Sequence, residues 1–236
     1  MDYEAAVAAA PPGWRHFTVS DLDRLRPSIR SHELARVPAD DRRLLEAGDP
    51  RAGERVLKAT FWTLVYNLEP ERWDSLARAE PIAPGLLNAL PPAERALDVG
   101  AGSGRLTAHL ARTCGTVVAV DPAIGLLRLL RSRMRSVHTI AAWAEALPIA
   151  DGWSTLTAAS GAFGPDPDVL RELFRVTSPR GVIALINPEQ PEWFEDQGWQ
   201  RVRAEPAPAP AHDRALDAFF GPPDPPADLV LTRKRS

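Results

Sequence analysis

The chain has 236 residues, of which 44% are hydrophobic and 25% are charged, as is typical of a folded globular protein. Its net charge of −3 gives no electrostatic reason to expect a nucleic acid or a membrane surface as partner. The single cysteine, Cys114, excludes an internal disulfide and favours a cytoplasmic location. No apolar run approaches the ~20 residues that a membrane span needs, and the first residues lack the basic segment of a secretory signal.

Residues 1–85 show helical patterning without a clear strand. Capped helix starts are predicted at Ser20 and at Asp40. Apolar residues recur at helical spacing over 56–65 and predict one strongly apolar helix, and a further short helix is predicted over 71–78. We expect these residues to form a helical cap that acts as a lid and does not fold by itself.

Strands and helices alternate from residue 95 onward. The predicted strands span 96–99, 116–120, 138–144, 155–162 and 181–187, and the helices between them span 104–113, 126–134 and 168–176. Continuous apolar strands of this kind are typical of a parallel sheet that helices cover on both faces.

The last part of the chain departs from this alternation. Residues 194–198 are predicted to end a helix, and predicted strands follow at 199–204 and 228–233. The proline-rich segment between these strands predicts a protruding loop with one short helix over 213–219. Because no full crossover joins the two strands, we expect them to pair in an antiparallel manner.

A glycine-rich turn follows the first predicted strand and opens a helix. Its glycines are Gly100, Gly102 and Gly104. A dinucleotide fingerprint would need its third glycine at position 105, where Arg105 stands, and no Lys-Ser/Thr pair follows the turn. The spacing therefore disfavours an oxidoreductase with a dinucleotide and excludes a P-loop.

Two carboxylates flank this turn. Asp98 precedes the first glycine and suits a ligand that carries a cation, whereas it would repel a pyrophosphate. Asp121 closes the second predicted strand, where a carboxylate can accept hydrogen bonds from both ribose hydroxyls. The alternative is that both side chains only cap the turns that follow them.

Four stretches of the chain resemble, in order, the motifs of class I S-adenosylmethionine-dependent methyltransferases of the small-molecule type. They are ALDVGAGSGRLTAHLA, VVAVDPAIGLLRLL, AAWAEALPIADG and ELFRVTSPRGVIALIN. The resemblance implies that residues 86–236 form an S-adenosylmethionine-binding catalytic domain. It also implies a Rossmann-like α/β fold whose seven-stranded sheet has the order 3-2-1-4-5-7-6, with the last strand antiparallel.

The resemblance also implies roles for individual residues. The implied cofactor-binding residues are Asp98, Gly100, Ala101, Gly102, Asp121, Pro122, Ala144 and Ser160. The first four would line the methionine part and Asp121 would hold the ribose. Pro122 and the backbone of Ala144 would contact the adenine, and Ser160 would lie near the sulfonium. Trp143 stands where the family usually has an acidic residue, so its ring either stacks on the purine or packs outward.

The sequence identifies no residue as a catalytic base, and no His/Cys cluster has the spacing of a metal site. The histidines are His16, His32, His109, His138 and His212. In the cap, Trp62, Tyr66 and Trp73 are candidates for binding a bulky aromatic or apolar acceptor. The alternative for these aromatic residues is plain hydrophobic docking of the cap.

The function predicted from this resemblance is methyl transfer, by in-line displacement, to a small-molecule or short-peptide acceptor. The competing hypothesis is a non-catalytic, nucleoside-binding member of the same fold that acts as a partner or regulatory subunit, and Trp143 favours that alternative. The net charge and the segment SGAFGPD after the fourth predicted strand disfavour nucleic-acid methylation. The sequence makes no prediction about oligomeric state.

Overall fold

The computed structural model describes residues 2–210 and 213–234. Of these, residues 2–76 and 213–223 form a compact helical unit, and residues 77–210 and 224–234 form a compact sheet unit. None of the described helices is long and apolar enough to cross a membrane.

The division differs from the predicted boundary at residue 85 in two places. Residues 77–85 belong to the sheet unit, because Ile82 and Ala83 are buried in its core. The short helix near residue 214 belongs to the helical unit, because its Phe219 is buried there against Phe17 and Phe61. The role of the helical unit as a lid stays a prediction.

The helical unit is built from short helices. They are α1 (Tyr3–Ala8), two 3-10 helices (Pro12–His16 and Val19–Arg24), α2 (Pro27–Arg36), α3 (Ala39–Glu46), α4 (Pro50–Ala59), α5 (Phe61–Leu68), α12 (Arg214–Phe220) and α6 (Pro70–Ala79), whose last three residues belong to the sheet unit. The single apolar helix predicted over 56–65 is in fact two helices, α4 and α5, that meet at Thr60. The Thr60 hydroxyl is buried and donates to the Val56 carbonyl at 2.8 Å, a bond that bends helices.

The sheet unit alternates strands and helices as the sequence predicts. Its elements are α7 (Pro84–Ala89), β1 (Arg95–Val99), α8 (Thr107–Thr113), β2 (Thr116–Val120), α9 (Ile124–Arg133), β3 (His138–Ile140), β4 (Ser154–Ser160), α10 (Pro167–Val176), β5 (Thr177–Ile186), α11 (Pro191–Asp196), β6 (Gln200–Arg203) and β7 (Asp228–Arg233).

All seven strands form one sheet of order β3-β2-β1-β4-β5-β7-β6. Neighbours among β1 to β5 pair in parallel, and β7 runs antiparallel to both β5 and β6. The predicted strand order and the antiparallel last strand are confirmed.

Apolar residues cover both faces of this sheet, as the continuous apolar strands predict. Ala96 and Leu156 pack in one buried cluster, whereas Leu97 and Ile183 pack in a second buried cluster. Successive strand residues point to opposite faces, so a strand buried on both sides has no polar alternation.

Candidate functional site

The candidate site lies at the carboxyl ends of β1, β2 and β4. β1 sits between β2 and β4 in the sheet, and the chain order reverses at this point. Open α/β sheets bind ligands at such a switch point, outside the carboxyl ends of the strands. The residues that follow each of these strands are therefore the first ones to consider.

The glycine turn lies directly after β1. The backbone N–H groups of Gly100 and Ala101 both donate to the Val120 carbonyl of β2, at 2.8 and 3.0 Å. Gly100 has φ +73°, and a Cβ there would lie 2.7 Å from the Cβ of Ala162 in the segment after β4. Only glycine lets the turn adopt this conformation and approach that segment so closely.

Asp121 connects the glycine turn to the start of α9. Its Oδ2 accepts a hydrogen bond from the Gly102 N–H at 2.9 Å, and its Oδ1 accepts one from the Ala123 N–H at 2.8 Å. Burial raises the pKa of the Asp121 carboxyl to about 6, against the effect of these two bonds. The side chain thus caps its turn, and each carboxylate oxygen keeps a lone pair for a ligand hydroxyl.

Asp98 is the most unusual side chain of the site. It is 1% exposed, and its Oδ2 accepts a hydrogen bond from the Thr107 hydroxyl at 2.5 Å. Its Oδ1 is buried and has no hydrogen-bond partner among the residues that the structure describes. Burial, followed by the charge of Asp121, raises the pKa of the Asp98 carboxyl to about 7, although Thr107 and Arg105 lower it.

A buried acceptor without a donor costs about 1–3 kcal/mol, so a ligand that brings a donor is favoured at Asp98. A donor that is also cationic would stabilise the charged carboxylate and lower its pKa. The Asp98 carboxylate and the glycine turn therefore fit the amino-acid end of S-adenosylmethionine, which carries an ammonium group.

Arg105 lies at the end of the turn. In the sequence it stands out only because a dinucleotide fingerprint would have its third glycine there, and it is not predicted as a site residue. Its Nη1 donates to the backbone carbonyl of Glu80 at 3.0 Å and lies 3.4 Å from the Glu80 carboxylate. Its Nη2 is 3.4 Å from the Ser160 hydroxyl at the end of β4. The structure thus brings the predicted Ser160 next to a guanidinium group that faces the switch point.

The residues proposed for the adenine follow β2 and β3. Pro122 stands between Asp121 and the first turn of α9. The strand predicted over 138–144 ends at Ile140, because its only neighbour, β2, offers no pairing partner beyond Val120. Ala144 is therefore in a loop, where it is buried, and Trp143 is half-buried beside it. The roles toward the adenine that the sequence predicts for Ala144 and Trp143 stay predictions.

The candidate acceptor residues lie in the helical unit and pack on one another. The Trp62 ring stacks on Phe220 with centroids 5.6 Å apart and on Tyr66 at 6.0 Å, and Trp73 meets Tyr66 edge-on at 4.7 Å. All of Trp62, Tyr66 and Trp73 are half-buried, whereas the opposite face of α5 is fully buried. Phe220 was missed because it lies in the distant proline-rich segment.

The histidines stand in separate places. His16 bonds Glu69 at 2.6 Å within the helical unit, while burial lowers the pKa of His109 on α8. His212 lies outside the described residues. Within the described ranges, no three His, Cys, Asp or Glu side chains are grouped so that they could hold a metal ion.

Comparisons with known proteins agree with this arrangement. Residues 96–181 match the family model of the methyltransferase domain. A demethylmenaquinone methyltransferase of Beutenbergia cavernae is 34% identical over 105 residues, which are 43% of this chain and 44% of that protein. An uncharacterized methyltransferase of Mycobacterium tuberculosis is 32% identical over 115 residues, 48% of this chain and 46% of that protein. The chain thus spans less than half the length of these relatives.

Solved structures are similar over a larger share of the chain. An S-adenosylmethionine-dependent methyltransferase from Thermotoga maritima has a TM-score of 0.47 and 17% identity, covering 72% of this chain and 96% of that one. Another from Methanosarcina mazei has a TM-score of 0.44 and 17% identity, covering 66% and 99%. Residues 96–181 thus match a methyltransferase domain, and the sheet unit that contains them has the strand order and the glycine turn of the class I S-adenosylmethionine-dependent methyltransferase fold.

Proposed function

We propose that this chain binds S-adenosylmethionine and transfers its methyl group to a small-molecule or short-peptide acceptor. The observation that carries the proposal is the buried Oδ1 of Asp98, an acceptor without a partner among the described residues, beside a glycine turn at the switch point of the sheet. S-adenosylmethionine supplies a methyl group already activated on a sulfonium, so the protein mainly has to align the reactants and exclude water.

The proposed binding mode assigns each end of the cofactor to its own group of residues. Asp98 accepts hydrogen bonds from the ammonium, and the backbone of Gly100, Ala101 and Gly102 lies along the methionine part. Asp121 accepts the ribose hydroxyls through its remaining lone pairs. The adenine lies by Pro122 and Ala144, and Ser160 lies near the sulfonium.

The aromatic cluster of the helical unit supports an apolar or aromatic acceptor. Trp62, Tyr66 and Trp73 are half-buried and present large, rigid rings, which bind such molecules at low entropic cost. We propose that these three residues select the acceptor. With a net charge of −3, the proposal includes no nucleic acid or membrane as partner.

Calorimetric titration of S-adenosylmethionine and S-adenosylhomocysteine into the full chain tests the cofactor. We expect micromolar binding that Asp121→Ala weakens by about tenfold or more, or ~1.4 kcal/mol. Asp196→Asn is the matched control, because this exposed carboxylate on α11 lies outside the site. No binding to the wild-type chain would overturn the proposal.

The transfer step is tested by mass spectrometry of reactions that contain S-adenosylmethionine and a panel of quinols, catechols, amines and short peptides. Formation of S-adenosylhomocysteine with one acceptor class supports the enzyme. Trp62→Ala should then raise the KM for that acceptor while the cofactor affinity stays unchanged. Tight cofactor binding without transfer to any acceptor would instead favour the non-catalytic alternative.

A further inference from the structure

The connection between β3 and β4 spans residues 141–153, all of which the structure describes, and it contains no helix. The connections after β1, β2 and β4 contain α8, α9 and α10. Loops of more than about 12 residues without secondary structure of their own are uncommon in compact domains and are usually functional. This β3–β4 loop carries Ala144, and with it the proposed contact to the adenine. Since strand pairing does not hold its backbone, another element has to.

α10 holds the β3–β4 loop through Arg175. The Nη1 of Arg175 donates to the Ile149 carbonyl at 2.8 Å and to the Asp151 carboxylate at 2.6 Å. Its Nη2 donates to the Leu147 carbonyl at 2.8 Å. Nε and Nη2 also donate to the two carboxylate oxygens of Glu172, at 2.7 and 2.8 Å. A guanidinium group has five N–H donors, so these bonds use all of them.

Glu172 holds the same loop from the acceptor side. Its Oε2 accepts the Leu147 N–H at 2.8 Å, so both backbone groups of Leu147 are bonded to the Glu172–Arg175 pair. The Leu147 side chain is 4% exposed and packs in one buried cluster with Ala144 and with Leu173 of α10. The Arg175 guanidinium lowers the pKa of the Glu172 carboxyl, so the pair is ionised at neutral pH. Leu147 is thus fixed three residues after Ala144.

Resting on the proposed function, we infer that Glu172 and Arg175 are positioning residues for recognition of the adenine. They act through Leu147 and keep the β3–β4 loop in the conformation in which the Ala144 N–H donates to a ring nitrogen of the base. A loop that is ordered before binding pays less entropy when the ligand arrives. A donor in a fixed place also rejects hypoxanthine, which carries an N–H where adenine has the acceptor, because the two donors would then face each other.

Two ligands that differ only in the base test this selectivity. They are S-adenosylhomocysteine and S-inosylhomocysteine, in which hypoxanthine replaces adenine. Both are titrated by calorimetry into the wild-type chain, Arg175→Ala and the control Arg171→Ala, an arginine one turn earlier on α10 whose pair with Asp168 is exposed. We expect the wild type and the control to prefer S-adenosylhomocysteine by about tenfold or more, ~1.4 kcal/mol. In Arg175→Ala, we expect this preference to fall below about threefold.

Hydrogen exchange of the ligand-free chain measures the loop itself. In Arg175→Ala, we expect the amides of residues 142–149 to exchange about tenfold faster or more, while those of β1 and β4 keep their rates. Arg175→Lys keeps the charge but places its three donors on one nitrogen, so its exchange rates and its ligand ratio should lie between those of the wild type and Arg175→Ala. Unchanged rates in the loop would overturn the inference, because other contacts would then hold it.

The ratio of the two affinities separates recognition of the base from a general defect. Damage to the fold would weaken both ligands alike and leave the ratio at its wild-type value, and this result would overturn the inference. If Arg175→Ala does not fold, Arg175→Lys decides in its place. A wild-type chain that binds both ligands equally well would overturn the inference alone. If the wild type binds neither ligand, the proposed function itself fails and the inference fails with it.

Discussion

At the scale of single residues, Gly104 shows that the third glycine of the turn serves packing. It has φ +101°, and a Cβ there would collide with the Met134 methyl group and lie 3.0 Å from Leu130 Cγ. Gly152 is a matched control, with φ +63° and no atom nearer than 3.6 Å to its Cβ position. We expect Gly152→Ala to cost about 1–2 kcal/mol of unfolding free energy through backbone strain alone.

Gly104→Ala should cost at least about 1 kcal/mol more than the control, because overpacking adds to the same strain. Urea denaturation of both variants measures the difference. Equal destabilisation would mean that Met134 and Leu130 move aside without cost, and that the glycine is needed for its backbone conformation only.

Some site residues could be predicted from the sequence because they follow directly from strand ends. Asp98 is the penultimate residue of β1 and Asp121 directly follows β2, and parallel strands bring their carboxyl ends to one edge of the sheet. Arg105 was visible in the sequence, but its pairing with Glu80 depends on how the segment before β1 folds back. No spacing rule in the sequence connects these two positions.

At the scale of elements, α10 illustrates a helix start that a single side chain determines. Asp166 Oδ1 accepts the N–H groups of Asp168 and Val169 at 2.9 and 3.0 Å, while Pro167 occupies the first helical position. Asp166→Ala should therefore lower the free energy of unfolding by about 1 kcal/mol.

Asp168→Ala is the control for the α10 cap, since this exposed carboxylate in the first turn pairs with Arg171 at the surface. Its loss should cost about 0.3–0.5 kcal/mol through the helix dipole and the surface pair. Thermal and urea unfolding of the two variants compare the effects. A larger loss in Asp168→Ala would show that charge, and not the cap, determines the helix start.

Element type was predictable because apolar periodicity depends on local sequence, but element ends depend on neighbours. β3 stops at Ile140 although its sequence stays strand-like to 144, because β2 provides no partner beyond Val120. β5 begins at Thr177, earlier than the predicted 181, because Thr177 pairs with Ser154, before an irregular stretch of β5 that ends where Val182 pairs with Leu156. Both differences arise from pairing that only the folded sheet provides.

At the scale of the whole molecule, the buried carboxyls of Asp98 and Asp121 make both the folding stability and the ligand affinity depend on pH. Burial raises the pKa of Asp98 to about 7 and that of Asp121 to about 6, above the ordinary value of 3.8. The folded state therefore binds more protons than the unfolded state between about pH 4 and 7. The contribution of both groups to stability falls as pH rises through this window, so the carboxylate charge works against the fold in the absence of a ligand.

A cationic ligand reverses that balance. Its ammonium favours the ionised Asp98, so binding below pH 7 must release the proton that this carboxyl holds. Between pH 5 and 7 the ligand amine stays protonated, because the carboxylate beside it raises its pKa above that of a chain terminus, which itself titrates above pH 7. The affinity for S-adenosylhomocysteine should therefore rise with pH in this range, approaching tenfold per pH unit at its lower end.

Calorimetry in buffers of different ionisation enthalpy measures both the affinity and the number of protons released. Asp98→Asn removes the titrating group at nearly constant shape, so it should bind more weakly at pH 7 and retain only the smaller pH dependence that Asp121 contributes. Asp196→Asn should behave like the wild type, because that carboxylate is exposed on α11. If the wild-type affinity is constant between pH 5 and 7 and no proton is released, then Asp98 does not meet the ammonium, and the cation must be held elsewhere on the sheet edge.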